Sequence, residues 1–149
     1  MEPLDLSKRP PRGPREKMLG LYFLPRTIDK LRAFLPGGDP GAYFVTDRHG
    51  MSAYLLRKIE IDPAALGVIV AAAADEAAVE AWIAAHAELS DVEALNQRMS
   101  SVTIGMLDAE RLGTMRDHYA GIDDRPKTET IFAFIEFDDA ALAASGSRV

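Results

Sequence analysis

The feature that most constrains the fold is a helix-start signal that recurs along the chain. Asp62-Pro63 combines an N-cap carboxylate with the first helical position, where the missing N–H of proline costs nothing. Asp75 and Asp108 are further candidate N-caps, since each precedes apolar residues at helical spacing. Each of these signals predicts the start of a helix. A chain with this many helix starts is typical of an all-α domain.

Further helices are predicted on either side of these starts. An amphipathic stripe begins at Pro25 and ends at the Pro36-Gly37-Gly38 break. A second stripe runs from Met51 to Ile59, and we expect Asp47 to cap it. Ser90 with Glu93 fits a capping box and predicts another helix. A helix that starts at Asp108 is expected to close at Gly121.

Residues 131–137 are compatible with two structures. Their apolar and aromatic composition suits a buried strand, yet Ile131, Phe134 and Ile135 also share one face of a helix. The only other extended candidate is the short run Tyr43-Phe44-Val45, and an isolated strand cannot satisfy its backbone. We therefore favour the helix. The resulting prediction is a single compact all-α domain over 1–149, with five to seven helices.

Length and composition exclude several classes of protein. A chain of 149 residues is long enough for one domain with its own core. Since it contains no cysteine, disulfide scaffolds, thiolate zinc sites and cysteine nucleophiles are excluded. No apolar run reaches the roughly eighteen residues that a membrane helix needs. Prolines, not an apolar segment, follow the first basic residues, so we expect no signal peptide and a cytoplasmic protein.

The charge is distributed unevenly. Residues 1–32 carry eight basic and four acidic side chains, whereas the remaining residues carry nine basic and nineteen acidic ones. Pro10, Pro11 and Pro14 favour an extended backbone in this first part. We predict that residues 1–20 form an extended, ordered basic arm over the helical body, and that residues 145–149 form a frayed tail.

The arginines of this region are the one unusual constellation in the sequence. The candidate anion-binding residues are Arg12, Arg15, Arg26, Asp29 and Lys30, the last three expected on one polar face of the helix that begins at Pro25. In one interpretation these cations pair with the acidic helices of their own chain. In the other, part of the cluster receives a small anion between the arm and the helix at 25–34.

Other chemistry has weaker support. His49, His86 and His118 are far apart in sequence and lack metal-ligand spacing, so we expect surface or capping roles for them, with no metal and no cofactor. No catalytic nucleophile motif is present, and the catalytic residues, if any, stay unassigned. The net charge of −6 argues against nucleic acid.

Two strings carry a resemblance to a known family. D-L-x-K-R-P-P-R-x-P-R at residues 5–15 and L-P-R-x-I-D-K-x-R at residues 24–32 resemble the uncharacterised bacterial domain-of-unknown-function family numbered five thousand and sixty-nine. The likeness is specific over residues 5–34 and looser further on, where it includes Trp82 and Asn96. It implies a mainly helical cytosolic protein and implies no activity.

Two hypotheses about function remain. The first is a non-enzymatic binding or interaction module that uses its basic arm toward a small anion or an acidic protein partner. The second is a small enzyme or anion-binding protein with its site between the arm and the helix at 25–34. A homo-oligomer is compatible with either. The largest pocket of the structure discriminates between them, because unpaired arginines beside a concavity favour the second hypothesis.

Overall fold

The computed structural model describes residues 1–146, which form seven α-helices and one two-stranded antiparallel hairpin. The predicted all-α architecture with five to seven helices is confirmed. The helices are α1 (Leu24–Ala33), α2 (Met51–Lys58), α3 (Pro63–Ala72), α4 (Glu76–His86), α5 (Val92–Ser101), α6 (Ala109–His118) and α7 (Ile131–Ser145). Two short 3-10 turns, Ile104–Met106 and Ile122–Asp124, lie before and after α6.

Three predicted caps are present. The carboxylates of Asp62, Asp75 and Asp108 accept hydrogen bonds from the backbone N–H three residues on, at 3.0, 3.0 and 2.8 Å. Each bond satisfies one of the N–H groups that a helix leaves free at its start. These aspartates therefore set where α3, α4 and α6 begin.

Two other predicted caps are wrong. Helix α5 starts after Asp91, not Ser90, and the Ser90 N–H instead binds the carboxylate of Glu88. Helix α2 starts after Gly50, because the Asp47 carboxylate accepts the N–H of His49 within a turn before the helix. In both cases the residue that the pattern assigned to the cap takes part in a local turn before the helix instead.

The ambiguous segment at residues 131–137 is helical, as favoured. The Thr130 hydroxyl caps α7 by accepting the Ala133 N–H at 3.1 Å. The run Tyr43-Phe44-Val45 forms no strand, although Tyr43 and Val45 are buried. Helix α7 includes Ser145 and ends at Gly146 in the left-handed conformation. The rest of the predicted frayed tail, residues 147–149, lies outside the described residues.

A hairpin that the sequence analysis did not predict follows the arm. Strand β1 (Lys17–Met18) pairs with β2 (Leu21–Tyr22), and both turn residues, Leu19 and Gly20, have positive φ. Asn96 of α5 fixes the hairpin, since its amide accepts the Tyr22 N–H at 2.9 Å and donates to the Gly20 carbonyl at 2.7 Å. The extended arm thus covers residues 1–16 and not 1–20.

The arm contacts the helical body at several points along its length. Leu6 is only 1% exposed and packs with Ala33, Tyr43 and Leu142 in a small apolar cluster. The Leu6 N–H donates to the Asp39 carbonyl at 2.7 Å, and the Asp39 N–H donates to the Leu4 carbonyl at 2.9 Å. A backbone ladder and a buried leucine therefore hold the arm, in addition to its charges.

The main core lies at the centre of the helices. Buried side chains from the hairpin and from all seven helices form one apolar cluster. Phe23 stacks on Phe132 with ring centroids 5.7 Å apart, and Tyr119 meets Phe134 edge to face at 5.6 Å. Trp82 lies partly buried at its margin and stacks on His86. On one side of this core, α1, α2, α5, α6 and α7 surround the site described next.

Candidate functional site

Arg26, Asp29 and Lys30 of α1 are buried, although the sequence pattern placed them on a polar face opposite the apolar stripe. Their exposed fractions are 0, 5 and 2%. The helix is therefore covered on its polar side as well, and each polar group needs a partner from another segment. The structure supplies those partners from the arm, from α7 and from α2.

Arg12 of the arm pairs with Asp29. Its Nε and Nη2 donate to the two Asp29 oxygens at 3.1 and 2.9 Å, and its backbone N–H also donates to this carboxylate at 2.9 Å. The same guanidinium binds Glu76 in the first turn of α4. Burial disfavours the charged form of Arg12, but hydrogen bonds to Glu76 and then Asp29 outweigh this, so the pKa of Arg12 is raised.

Arg26 is fully buried and forms a bidentate pair with Asp139 of α7. Nη1 and Nη2 donate to the two carboxylate oxygens at 2.5 and 3.0 Å, and the Tyr43 hydroxyl donates to the same carboxylate at 3.0 Å. Nη1 also donates to the Arg12 carbonyl at 3.1 Å. Burial opposes the charge on Arg26, yet the Asp139 hydrogen bonds more than compensate, and the pKa of Arg26 is raised.

Arg15 and Lys30 have different surroundings. Arg15 forms an exposed pair with Glu136 of α7, with Nε and Oε1 3.0 Å apart. The Lys30 ammonium is buried, lies 3.2 Å from the Ser52 hydroxyl and sits over the rings of Phe23 and Phe44. Of the five candidate residues, only Lys30 lines a cavity large enough for a ligand.

That cavity has a volume of about 390 Å³ and lies between α1, α2, α5, α6 and α7. Its wall is mostly apolar and aromatic, with Phe23, Phe44, Met51, Tyr54, Met99, Val102, Leu107, Met115, Tyr119, Ile131 and Ile135. Exposed arginines are also among its lining residues, so the cavity reaches the protein surface. Its volume falls in the range of about 300–1,000 Å³ that small-molecule sites occupy.

The charged side chains that line the cavity are all basic. They are Lys30, Arg48, Arg57, Arg98 and Arg111; His49 also lines the cavity, and no carboxylate of residues 1–146 does. Arg111 is paired with Asp108. The hydrogen bond from the Arg111 N–H lowers the pKa of Asp108, and the positive charge of the Arg111 guanidinium lowers it further. Arg48 lies 3.6 Å from Glu110, so two of the four arginines have a carboxylate partner.

The segment between α1 and α2 forms one wall of the cavity. Phe44 stacks on His118 of α6 with centroids 3.8 Å apart, and His118 Nδ1 lies 3.0 Å from the Ala42 carbonyl. A Cβ at Gly50 would lie 2.3 Å from Cε2 of Phe44. Any larger residue at position 50 would therefore displace the Phe44 ring. His118, expected at the surface or in a cap, instead fixes this wall.

Sequence reasoning missed the cavity because its basic residues are scattered between positions 30 and 111. All of them except Lys30 lie in the part of the chain with the acidic excess, and no motif or spacing connects them. Within residues 1–146, no group of three or more acidic or histidine side chains is placed to hold a metal ion. In the same part of the chain, no helix has the length and apolarity to cross a membrane.

The fold and the cavity together define a mostly helical single domain with a site of ligand size. The model of the family described as Domain of unknown function (DUF5069) matches residues 8–141. The chain belongs to that family, as its motifs indicated. A comparison with curated proteins finds none that matches.

Proposed function

We propose that this protein is a small-molecule binding module and that the ligand occupies the cavity between α1, α2, α5, α6 and α7. The observation that carries the proposal is the cavity itself, about 390 Å³ bounded by core side chains and reaching the surface. Protein interiors pack as densely as organic crystals and leave few voids larger than a water molecule. An apolar cavity of this size suits a ligand with an apolar body.

The arrangement of charges supports this site over one at the arm. Arg12 and Arg26 are each held by a carboxylate at bidentate distance, and Arg15 faces Glu136. A ligand anion at the arm would have to displace Asp29 or Asp139 from its arginine. Breaking such a buried pair leaves an uncompensated charge, which is costly. The proposal therefore gives the arm a structural role and assigns binding, with no chemical step, to the cavity.

The test uses a neutral aromatic probe, phenylnaphthylamine, whose fluorescence rises in an apolar site. We expect the native protein to bind one molecule. Leu107→Trp places an indole in the cavity and should weaken binding by about tenfold or more, a loss of about 1.4 kcal/mol of binding energy. The matched control is Val68→Trp on α3, because Val68 is 66% exposed and does not line the cavity.

Thermal unfolding of both variants checks that the fold is intact. The proposal holds if Val68→Trp binds the probe as the native protein does and Leu107→Trp does not. Equal binding by all three proteins would place the probe elsewhere and would contradict the proposal.

A further inference from the structure

We propose that the ligand is an organic acid that binds with its apolar body inside the cavity and its negative group at the mouth, against Arg57 and Arg98. The inference rests on the proposed function and adds the chemical class and orientation of the ligand. The negative group is a carboxylate, sulfonate or phosphate, which are the groups that the planar guanidinium recognises.

The charge around the cavity has one sign. Four arginines and a lysine line it, and none of the carboxylates in the described part of the chain does, although the protein as a whole has a net charge of −6. Like charges gathered around a low-dielectric concavity repel one another and attract an anion. Such a site is suited to a ligand that brings negative charge.

The arginines differ in how they are already engaged. The guanidinium of Arg111 binds Asp108, and that of Arg48 lies near Glu110. Arg57 donates to the backbone carbonyl of Arg48 at 3.0 Å and has no carboxylate partner within residues 1–146. The Arg98 side chain has neither a hydrogen bond nor an ion pair with any residue that the structure describes. Arg57 and Arg98 therefore keep donors for an incoming anion.

The depth of the basic groups sets the orientation. Arg57 and Arg98 are exposed, so an anion beside them keeps part of its hydration. Lys30 is buried, and its ammonium already contacts the Ser52 hydroxyl and two aromatic rings. Moving the anion inward would remove its water and surround it with Met99, Met115 and Ile135. The apolar body belongs in that inner space, and the charged group belongs at the mouth.

Arg57 and Arg98 lie in the last turns of α2 and α5, but a position near a helix end does not by itself account for an arginine at the cavity. Arg57 and Lys58 both lie in the last turn of α2, where cations favour the helix dipole. Only Arg57 of the two lines this cavity. The favourable interaction with the helix dipole therefore does not account for the position of the Arg57 side chain at the cavity.

Two probes with the same aromatic body separate charge recognition from apolar binding. Anilinonaphthalene sulfonate carries an anionic group that phenylnaphthylamine lacks. We expect Arg57→Gln/Arg98→Gln to weaken binding of the sulfonate by about tenfold or more and to leave binding of the neutral probe unchanged. The control Lys8→Gln/Arg9→Gln removes the same charge from two exposed residues of the arm and should change neither affinity.

The outcomes are distinguishable. If the double variant binds the sulfonate as the native protein does, the negative group does not lie at Arg57 and Arg98 and the inference fails. If it loses both probes equally, these arginines shape the cavity instead of binding charge, and the inference also fails. If the native protein binds neither probe, the proposed function fails and the inference fails with it.

Discussion

Asp139→Asn is expected to lower the free energy of unfolding by about 3–5 kcal/mol, the usual cost of removing one partner of a buried ion pair. Arg26 is completely buried, and Asp139 is its bidentate carboxylate partner. Asparagine has the same shape but no charge, so the guanidinium would remain in the interior uncompensated. For a chain of this length the loss corresponds to a fall of roughly 6–20 °C in the melting temperature.

Glu136→Gln is the matched control, since it neutralises another carboxylate on α7. The Glu136 and Arg15 side chains are each 46% exposed, and a pair of this kind contributes about 0–1 kcal/mol. Urea unfolding of both variants measures the difference. Equal stability of Asp139→Asn and Glu136→Gln would mean that the buried pair does not stabilise the fold.

Arg12→Gln should lower the free energy of unfolding by about 1.5–3 kcal/mol, the value typical of hydrogen bonds to charged groups. The reason is Asp29, whose side chain is only 7% exposed and takes two side-chain hydrogen bonds and one backbone hydrogen bond from Arg12. After the substitution, its remaining cation is Arg32, whose Nη1 lies 4.0 Å away. The arm and the start of α4 would also lose their shared contact at Glu76.

Arg15→Gln removes the other arm arginine of the cluster and is expected to change stability by less than about 1 kcal/mol, because its pair is exposed. Both variants should bind phenylnaphthylamine with native affinity, since neither residue lines the cavity. Loss of probe binding in a folded Arg12→Gln protein would return the binding role to the arm and contradict the assignment of binding to the cavity.

The helices were predictable where the information is local. Asp62, Asp75 and Asp108 each cap a helix through a bond to a residue three positions on, and such a bond depends on the neighbouring sequence alone. The extended course of the arm was predictable for a similar reason, because its prolines restrict the backbone locally. The ambiguity at residues 131–137 was resolved by the lack of a partner strand.

The environment of α1 was not predictable in this way. Periodicity places Arg26 and Asp29 on a solvated face, whereas their partners come from 113 residues later and 17 residues earlier in the chain. The cavity has the same origin, since its lining combines residues from five helices that no motif joins. Contacts between segments distant in sequence decide both features, and a pattern along one segment carries no information about them.

The most direct test of the binding site uses the methionine methyl groups. The chain has six methionines. Met51, Met99 and Met115 line the cavity, whereas Met1, Met18 and Met106 do not. In a methyl NMR titration with phenylnaphthylamine, assigned by single Met→Leu variants, we expect the signals of the three lining residues to shift together and the other three to stay in place. Met106 is 69% exposed, so it reports binding to the outer surface. A shift at Met106 with unchanged signals from Met99 and Met115 would contradict the assignment of the cavity as the binding site.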